Sequence, residues 1–139
     1  MAEKLMGIDY GEARTGVAVS DALGFLASGV GNIEERDINR LINKIAEKAV
    51  ELNVTKIILG NPVNMNGTLG PKAEKVAKLA ERLREKTGLT VVLFDERCTT
   101  MAAHSFLNET NTRGKKRKGV VDTLSAQIIL QNYMDSHRV

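Results

Sequence analysis

Short, largely apolar stretches bounded by turn residues occupy the first quarter of the chain, which is the pattern of β-strands. Residues 4–10, 14–20 and 24–33 form three such stretches, and only a few residues separate each from the next. Connections this short join antiparallel neighbours. The first quarter of the chain therefore predicts a three-stranded antiparallel meander.

The pattern changes to a helical period after residue 36. Residues 37–52 place an apolar side chain every three or four positions, at Ile38, Leu41, Ile42, Ile45 and Ala49. Such spacing predicts an amphipathic helix with one buried face.

The rest of the chain alternates short apolar runs with helical segments. Residues 55–59 and 90–94 are β-rich runs, and helical patterns cover residues 70–87, 101–107 and 119–135. Strand–helix–strand units favour parallel pairing through a right-handed crossover. The order predicts an α/β fold whose mixed sheet of five strands is antiparallel first and then parallel, with helices on both faces.

Composition is that of an ordinary single domain. The 139 residues contain 42% hydrophobic and 27% charged positions, and no apolar run is long enough to cross a bilayer. The first residues lack a signal-peptide pattern, and a lone cysteine, Cys98, excludes an internal disulfide. We therefore expect one domain over residues 1–139, in the cytoplasm and without a membrane partner. One Cys and two His also argue against a zinc site.

Positive charge is concentrated in one segment, which we call the basic segment. The net charge is only +3, yet five cations fall close together at Arg113, Lys115, Lys116, Arg117 and Lys118. Without them the 17 acidic residues outnumber the basic ones. A cluster of this kind suits phosphate groups, although a solvated, flexible loop has the same composition.

Three acidic residues occupy unusual positions. Asp9 lies inside the apolar run of the first strand, where a carboxylate must be paired, hydrogen-bonded or bound to metal. Glu96 follows the strand that ends at Phe94, a place where sites gather in parallel sheets. Asp122 falls in the first turn of the predicted last helix. Carboxylates that converge from separate segments suit Mg²⁺ or Mn²⁺.

Two of these acids also have simpler interpretations. Asp122 could favour the helix N-terminus through the dipole or a cap, and Glu96 could form an ion pair with Arg97 or Arg14. Asp9 has no such local explanation, because no cap or helix end needs it. The residues alone leave the metal site as a hypothesis that depends mainly on Asp9.

Four sequence blocks span nearly the whole chain. They are residues 7–11 with 14–21, residues 60–67, residues 95–97 with 99–100, and residues 121–122 with 126–130. In this order they resemble the YqgF family, also called RuvX, of the RNase H-like superfamily. The departures are small: Asn61 and Cys98 stand where the family usually has apolar residues, and Ser125 replaces a usual alanine.

The resemblance implies an RNase H-like three-layer α/β/α domain with a divalent-metal nuclease site. Asp9, Glu96 and Asp122 match the family's acidic triad, both as catalytic residues and as ligands of Mg²⁺ or Mn²⁺. Family members are described as candidate Holliday junction resolvases and as nucleases that mature the 5′ end of pre-16S ribosomal RNA.

Other residues near the triad are candidates for contacts with nucleic acid. Arg14 is placed to steady a phosphate or a carboxylate, with an ion pair to Glu12 or Asp21 as the alternative. Because the basic segment comes just before Asp122, we expect it to act as a mobile phosphate clamp. The remaining candidates are Asn64, Asn66, Arg97, Thr99 and Thr100. The asparagines could simply form a turn and the threonines helix caps.

The leading hypothesis is a two-metal endonuclease for structured nucleic acid, with a ribosomal RNA precursor preferred and a four-way DNA junction second. A second hypothesis is a non-catalytic RNA-binding assembly factor. A third is an ATP-binding protein of the actin–hexokinase type, since residues 9–11 with 15–16 suit a phosphate-binding hairpin; such proteins need two domains around the nucleotide. We expect a monomer or a weak homodimer.

Overall fold

The structure, a computed structural model, describes residues 4–21, 26–61, 70–95 and 114–136, with backbone alone at residues 95 and 114–122. The predicted helix over residues 101–107 lies outside the described residues. The elements in chain order are β1 (Leu5–Asp9), β2 (Arg14–Ser20), β3 (Ala27–Glu34), α1 (Ile38–Glu51), β4 (Lys56–Asn61), α2 (Pro71–Thr87), β5 (Thr90–Asp95) and α3 (Gly114–Ser136).

The five strands form one mixed sheet in the order β3-β2-β1-β4-β5. β1 pairs antiparallel with β2, and β2 pairs antiparallel with β3. β1 and β4 are parallel, as are β4 and β5. The predicted sheet is confirmed. It follows that β1, β3, β4 and β5 all end at one edge of the sheet, which we call the carboxyl edge.

One face of the sheet is covered by α1 and α2. Its buried core is largely aliphatic and includes Ile8 from β1, Ile45 from α1 and Leu83 from α2. α1 begins with Asp37, whose carboxylate accepts hydrogen bonds from the backbone N–H groups of Asn39 and Arg40. Such a cap satisfies donors that the helix itself leaves open. We call this side the α1/α2 face.

α2 is bounded by two residues that suit helix ends. Pro71 occupies the first turn, where its missing N–H is not needed. Gly88 follows the last turn in the left-handed conformation, with φ of 70°. Glycine adopts this conformation without the steric penalty that a Cβ brings.

The opposite side, the α3 face, is covered by α3. Its buried core includes Ala18, Ile58, Ile129 and Leu130, and the rings of Phe94 and Tyr133 meet edge to face with centroids 5.8 Å apart. Helices on both faces complete the predicted α/β/α layering. Although α3 has 23 residues, no helix in the described ranges has the length and apolarity that a membrane span needs.

Candidate active site

The hairpin between β1 and β2 holds Asp9 at the carboxyl edge. Asp9 is the last residue of β1, half-buried, and is paired in register with Gly16 of β2. The turn is tight: a Cβ at Gly11 would lie 2.2 Å from the carbonyl oxygen of Arg14. The Thr15 hydroxyl also lies 3.5 Å from both the backbone nitrogen and the carbonyl oxygen of Gly11. Asp9 therefore stands on a hairpin whose geometry leaves little freedom.

α3 approaches β1 closely beside Asp9. A Cβ at Gly7 would lie 2.7 Å from Leu130 Cβ and 2.8 Å from the carbonyl oxygen of Ala126. Because side chains alternate along a strand, Asp9 belongs to the same side of β1 as Gly7. The helix and the carboxylate thus share one face of the sheet.

Polar bonds to β3 fix the direction of α3. The Thr123 hydroxyl donates to Asn32 Oδ1 at 2.8 Å, and Asn32 is in register with Gly16 and, through it, with Asp9. Further along the helix, Gln127 donates to the carbonyl oxygen of Ala27 at 3.0 Å. Ala27 lies at the other end of β3. α3 therefore runs antiparallel to β1.

This arrangement fixes the position of the Asp122 backbone relative to β1. Asp122 precedes Thr123, so its turn of α3 lies at the level of Asp9 in the sheet. It also comes one helical turn before Ala126, the residue that meets Gly7. The fold thus brings the backbones of two of the three predicted acids to the same end of the α3 face.

Two expectations about this region were wrong. α3 begins at Gly114 rather than at residue 119, so Lys115, Lys116, Arg117 and Lys118 belong to its first turns and not to a loop. For the same reason Asp122 is in the third turn, where a cap or dipole role no longer applies. Lys and Arg are good helix formers, and Gly119 interrupts their run only mildly.

The third predicted acid follows β5. Asn61 and Asp95 are paired in register at the carboxyl edge, and Glu96 comes next in the chain. Glu96 lies outside the described residues, as do Asn64, Asn66, Arg97, Thr99, Thr100 and Arg113. Of the triad, the side chain of Asp9 alone falls in the described part of the chain. The roles of all three acids, and of the other candidates, stay predictions.

Arg14 stands near Asp9 on the next strand. It is the first residue of β2, half-buried, and lines a cleft of about 400 Å³ with Glu34, Glu35 and Arg36. One of these acids, Glu35, is paired with a lysine. Lys44 donates to Glu35 at 2.9 Å, and this bond, with the backbone N–H of Asp37, lowers the pKa of Glu35.

A lysine that was not predicted from the sequence lies at the same edge. Lys75 of α2 forms an ion pair with Glu12 of the hairpin at 3.1 Å. The hydrogen bond and the charge of Lys75 lower the pKa of Glu12, and the same contact raises the pKa of Lys75. The sequence does contain an indication of this role for Lys75, because Lys75 belongs to a row of cations on one side of α2.

The topology of the sheet and its helices defines an RNase H-like domain. The chain belongs to the RuvX family: the family profile, described as "Holliday junction resolvase", matches residues 3–136. The family predicted from the four sequence blocks is therefore confirmed.

Curated relatives of high similarity carry a second description. A protein of Ruminiclostridium cellulolyticum is 40% identical over 133 residues, which are 95% of this chain and 94% of that protein. A protein of Bacillus cytotoxicus is 45% identical over 136 residues, covering 96% and 98%. Both are named "Putative pre-16S rRNA nuclease". This chain is thus a member of a nuclease family.

Solved structures of low sequence similarity share the fold. RuvC of Thermus thermophilus, in complex with a Holliday junction substrate, superposes with a TM-score of 0.58 at 12% identity and covers 96% of this chain and 94% of RuvC. The fowlpox virus Holliday junction resolvase has a TM-score of 0.57 at 12% identity, covering 96% and 99%. These likenesses establish the RNase H-like architecture.

Proposed function

We propose that this protein is a divalent-metal-dependent endonuclease that processes the 5′ end of pre-16S ribosomal RNA. The observation that carries the proposal is the joint position of Asp9 and the Asp122 turn at one end of the α3 face. The names of the relatives support the choice of RNA as substrate. Such a substrate implies action in the cytoplasm.

The donor chemistry fits a hard cation. Asp9, Glu96 and Asp122 offer carboxylate oxygens, and Asp9 is half-buried at a sheet edge where two other acid-bearing segments arrive. Oxygen ligands of this kind favour Mg²⁺ or Mn²⁺. When bound, two such ions would supply charge neutralisation at the scissile phosphate and activation of a water.

The protein's own residues would position the metal-binding carboxylates and the phosphate of the substrate. The rigid hairpin keeps Asp9 from moving away when a phosphate arrives, and the close fit of α3 at Gly7 fixes the distance from β1 to the Asp122 turn. Arg14 lies at the same edge, where it would steady a phosphate. Arg113 and Lys115–Lys118 would add positive charge at the start of α3, with Asn64, Asn66, Arg97, Thr99 and Thr100 as further contacts.

A Holliday junction is the second candidate substrate. The family description and the RuvC-like fold favour it. Cutting a junction symmetrically needs two active sites, and hence a dimer of this chain. A monomer would fit the RNA substrate better.

The test is cleavage by the purified protein with Mn²⁺, on a pre-16S RNA fragment and on a four-way DNA junction in parallel. We expect the RNA to be cut and Asp9→Asn to abolish cutting without unfolding the protein. Asp135→Asn is the matched control, because Asp135 is exposed at the far end of α3.

Each outcome decides between the hypotheses. Full activity of Asp9→Asn would refute the carboxylate mechanism. Cutting of the junction alone would make the protein a resolvase. Tight RNA binding with no metal-dependent cutting would instead identify a non-catalytic assembly factor.

A further inference from the structure

A cleft lies between the first turn of α1 and the middle of α2. It has a volume of about 300 Å³. Its floor is apolar: Tyr10 and Leu79 are buried, and Ile38 is half-buried. Its rim carries the exposed cations Lys75 and Lys78, with Arg82 beside them. We call this the α2 cleft.

The three cations of the cleft form a row along α2. Lys75, Lys78 and Arg82 are spaced three and four residues apart, so they follow one side of the helix over about 10 Å. The acids of α2 follow a neighbouring line, at Glu74, Glu81 and Glu85. Among the described residues, however, the lining of the cleft includes these three cations and no acid, so its rim is positively charged.

Two of the three cations are not neutralised by carboxylates in the described part of the chain. The guanidinium of Arg82 donates to the amide oxygen of Asn39, which carries no charge. Lys78 has no ion-pair partner among the described residues. Lys75 pairs with Glu12, but both side chains are largely exposed, at 55% and 74%. An exposed pair of this kind is weak and easily exchanged.

The α2 cleft and the candidate active site meet at the carboxyl edge. Tyr10 directly follows Asp9, and because strand residues alternate, Asp9 faces α3 while Tyr10 belongs to the α1/α2 core. The contact between Glu12 and Lys75 bridges the hairpin and α2 at this edge. A polyanion leaving Asp9 across the edge would reach Lys75 first, and then Lys78 and Arg82.

We propose that the α2 cleft binds the single-stranded sugar–phosphate chain that flanks the scissile phosphate. The cations contact successive phosphates, and a base or ribose rests on the apolar floor. A single strand fits because its bases are free to turn into the cleft, whereas the bases of a duplex are stacked inside it. Contacts to phosphates carry no sequence information, so binding is indifferent to sequence. This inference rests on the proposed nuclease function.

Glu12 has a role of its own in this proposal. Its carboxylate, which is charged at neutral pH as exposed glutamates are, takes the position beside Lys75 that a phosphate would take. An incoming strand must displace it. Removing the charge of Glu12 therefore strengthens binding, whereas removing the cations weakens it.

The experiment measures binding to two fluorescein-labelled RNAs by fluorescence anisotropy, in EDTA so that nothing is cut. One RNA is a blunt 12-base-pair duplex, and the other is the same duplex with an eight-nucleotide single-stranded extension. The variants are K78Q/R82Q and E12Q, with K86Q as the matched control. Lys86 is an exposed cation of the same helix, but it lines a different cleft with Val50 and Glu51.

We expect the extension to tighten binding of the unaltered protein by about tenfold and K78Q/R82Q to remove that gain. For the extended RNA, the slope of log K against log salt should fall by about 1.4 in K78Q/R82Q, which is two single-strand phosphate contacts. E12Q should bind the extended RNA about threefold more tightly, and K86Q should match the unaltered protein. A DNA extension should bind like the RNA one.

Several results would overturn the inference. Equal losses of affinity for the extended RNA in K86Q and K78Q/R82Q would mean that binding depends on net charge alone. Equal binding of blunt and extended RNA would mean that the cleft does not take a single strand. Displacement of the RNA by an oligoglutamate peptide of equal charge would assign the cleft to an acidic protein. Because no cutting is measured, these results are separate from failure of the nuclease proposal.

Discussion

The two faces of the sheet are built by different rules. The α1/α2 face is packed with large aliphatic side chains such as Ile45 and Leu83, which interlock but tolerate some adjustment. The α3 face relies on close backbone approach at Gly7 and on hydrogen bonds from Thr123 and Gln127 to β3. Hydrogen bonds and close contacts specify a position, whereas aliphatic burial mainly supplies stability. The helix that carries Asp122 is on the face where position is specified.

The largest effect on stability should come from the α1/α2 face and leave activity alone. Ile45 is fully buried, and Ile45→Ala should lower the free energy of unfolding by about 3 kcal/mol because it removes buried surface and leaves a cavity. Urea unfolding measures this loss. Cleavage per folded molecule should be unchanged at low temperature. A strong drop in cleavage at that temperature would contradict the view that the α1/α2 face supplies stability without positioning the active site.

Gly7→Ala should have a smaller effect on stability but a large one on activity. The new Cβ would clash with Leu130 Cβ and the Ala126 carbonyl, so α3 must shift, at about 2 kcal/mol. Cleavage should fall far more than the folded fraction does. Gly88→Ala is the control, since strain at its positive φ costs about 1 kcal/mol far from Asp9. If Gly7→Ala cuts normally, the position of α3 is not critical.

Two buried serines should respond to alanine with opposite signs. Ser20 Oγ accepts a hydrogen bond from the backbone N–H of Leu5 at 2.8 Å, so Ser20→Ala should destabilise by about 1–2 kcal/mol. Ser125 Oγ is buried on the α3 face without a hydrogen-bond partner among the described residues, so Ser125→Ala should stabilise by up to about 1 kcal/mol. Thermal melting compares the two. Destabilisation by Ser125→Ala would show that its hydroxyl is bonded after all.

The smallest effect concerns pH. The bond from Lys44 lowers the pKa of Glu35 below its usual 4.5, so the folded state favours the charged carboxylate. The stability gained is present above that value and is lost as pH falls through the lowered pKa. The Lys44 side chain is 47% exposed, so solvent screens the pair and the gain is slight. Glu35→Gln should be slightly less stable than the unaltered protein near neutral pH and equal to it in acid. A difference in stability that is the same at all pH values would show that the charge of Glu35 is not its cause.

The sequence predicted the strand and helix order because short apolar runs bounded by turn residues mark buried strands, and helical spacing marks the buried side of a helix. It failed at the start of α3, where the cations and Gly119 are typical of a loop, although the buried residues downstream stabilise one long helix. It also missed the α2 cleft. The spacing of Lys75, Lys78 and Arg82 was readable, but their approach to Tyr10 and Ile38 depends on tertiary packing.

The triad could be predicted only in part from the residues themselves. Asp9 stood out because nothing local explains a carboxylate inside an apolar strand. Asp122 had an ordinary explanation as a helix-start residue until the structure placed it in the third turn. Its connection to Asp9 depends on the pairing of Thr123 with Asn32, which no local pattern reveals.

The most direct test of the central claim is Mn²⁺ binding measured by isothermal titration calorimetry. Asp9→Asn and Asp122→Asn should each weaken binding by about tenfold or more, and the double variant should be little worse than either, because ligands of one centre are not additive. Asp135→Asn should bind as the unaltered protein does. Additive losses, or unchanged binding in Asp122→Asn, would show that the α3 face does not bring the two carboxylates to a shared metal.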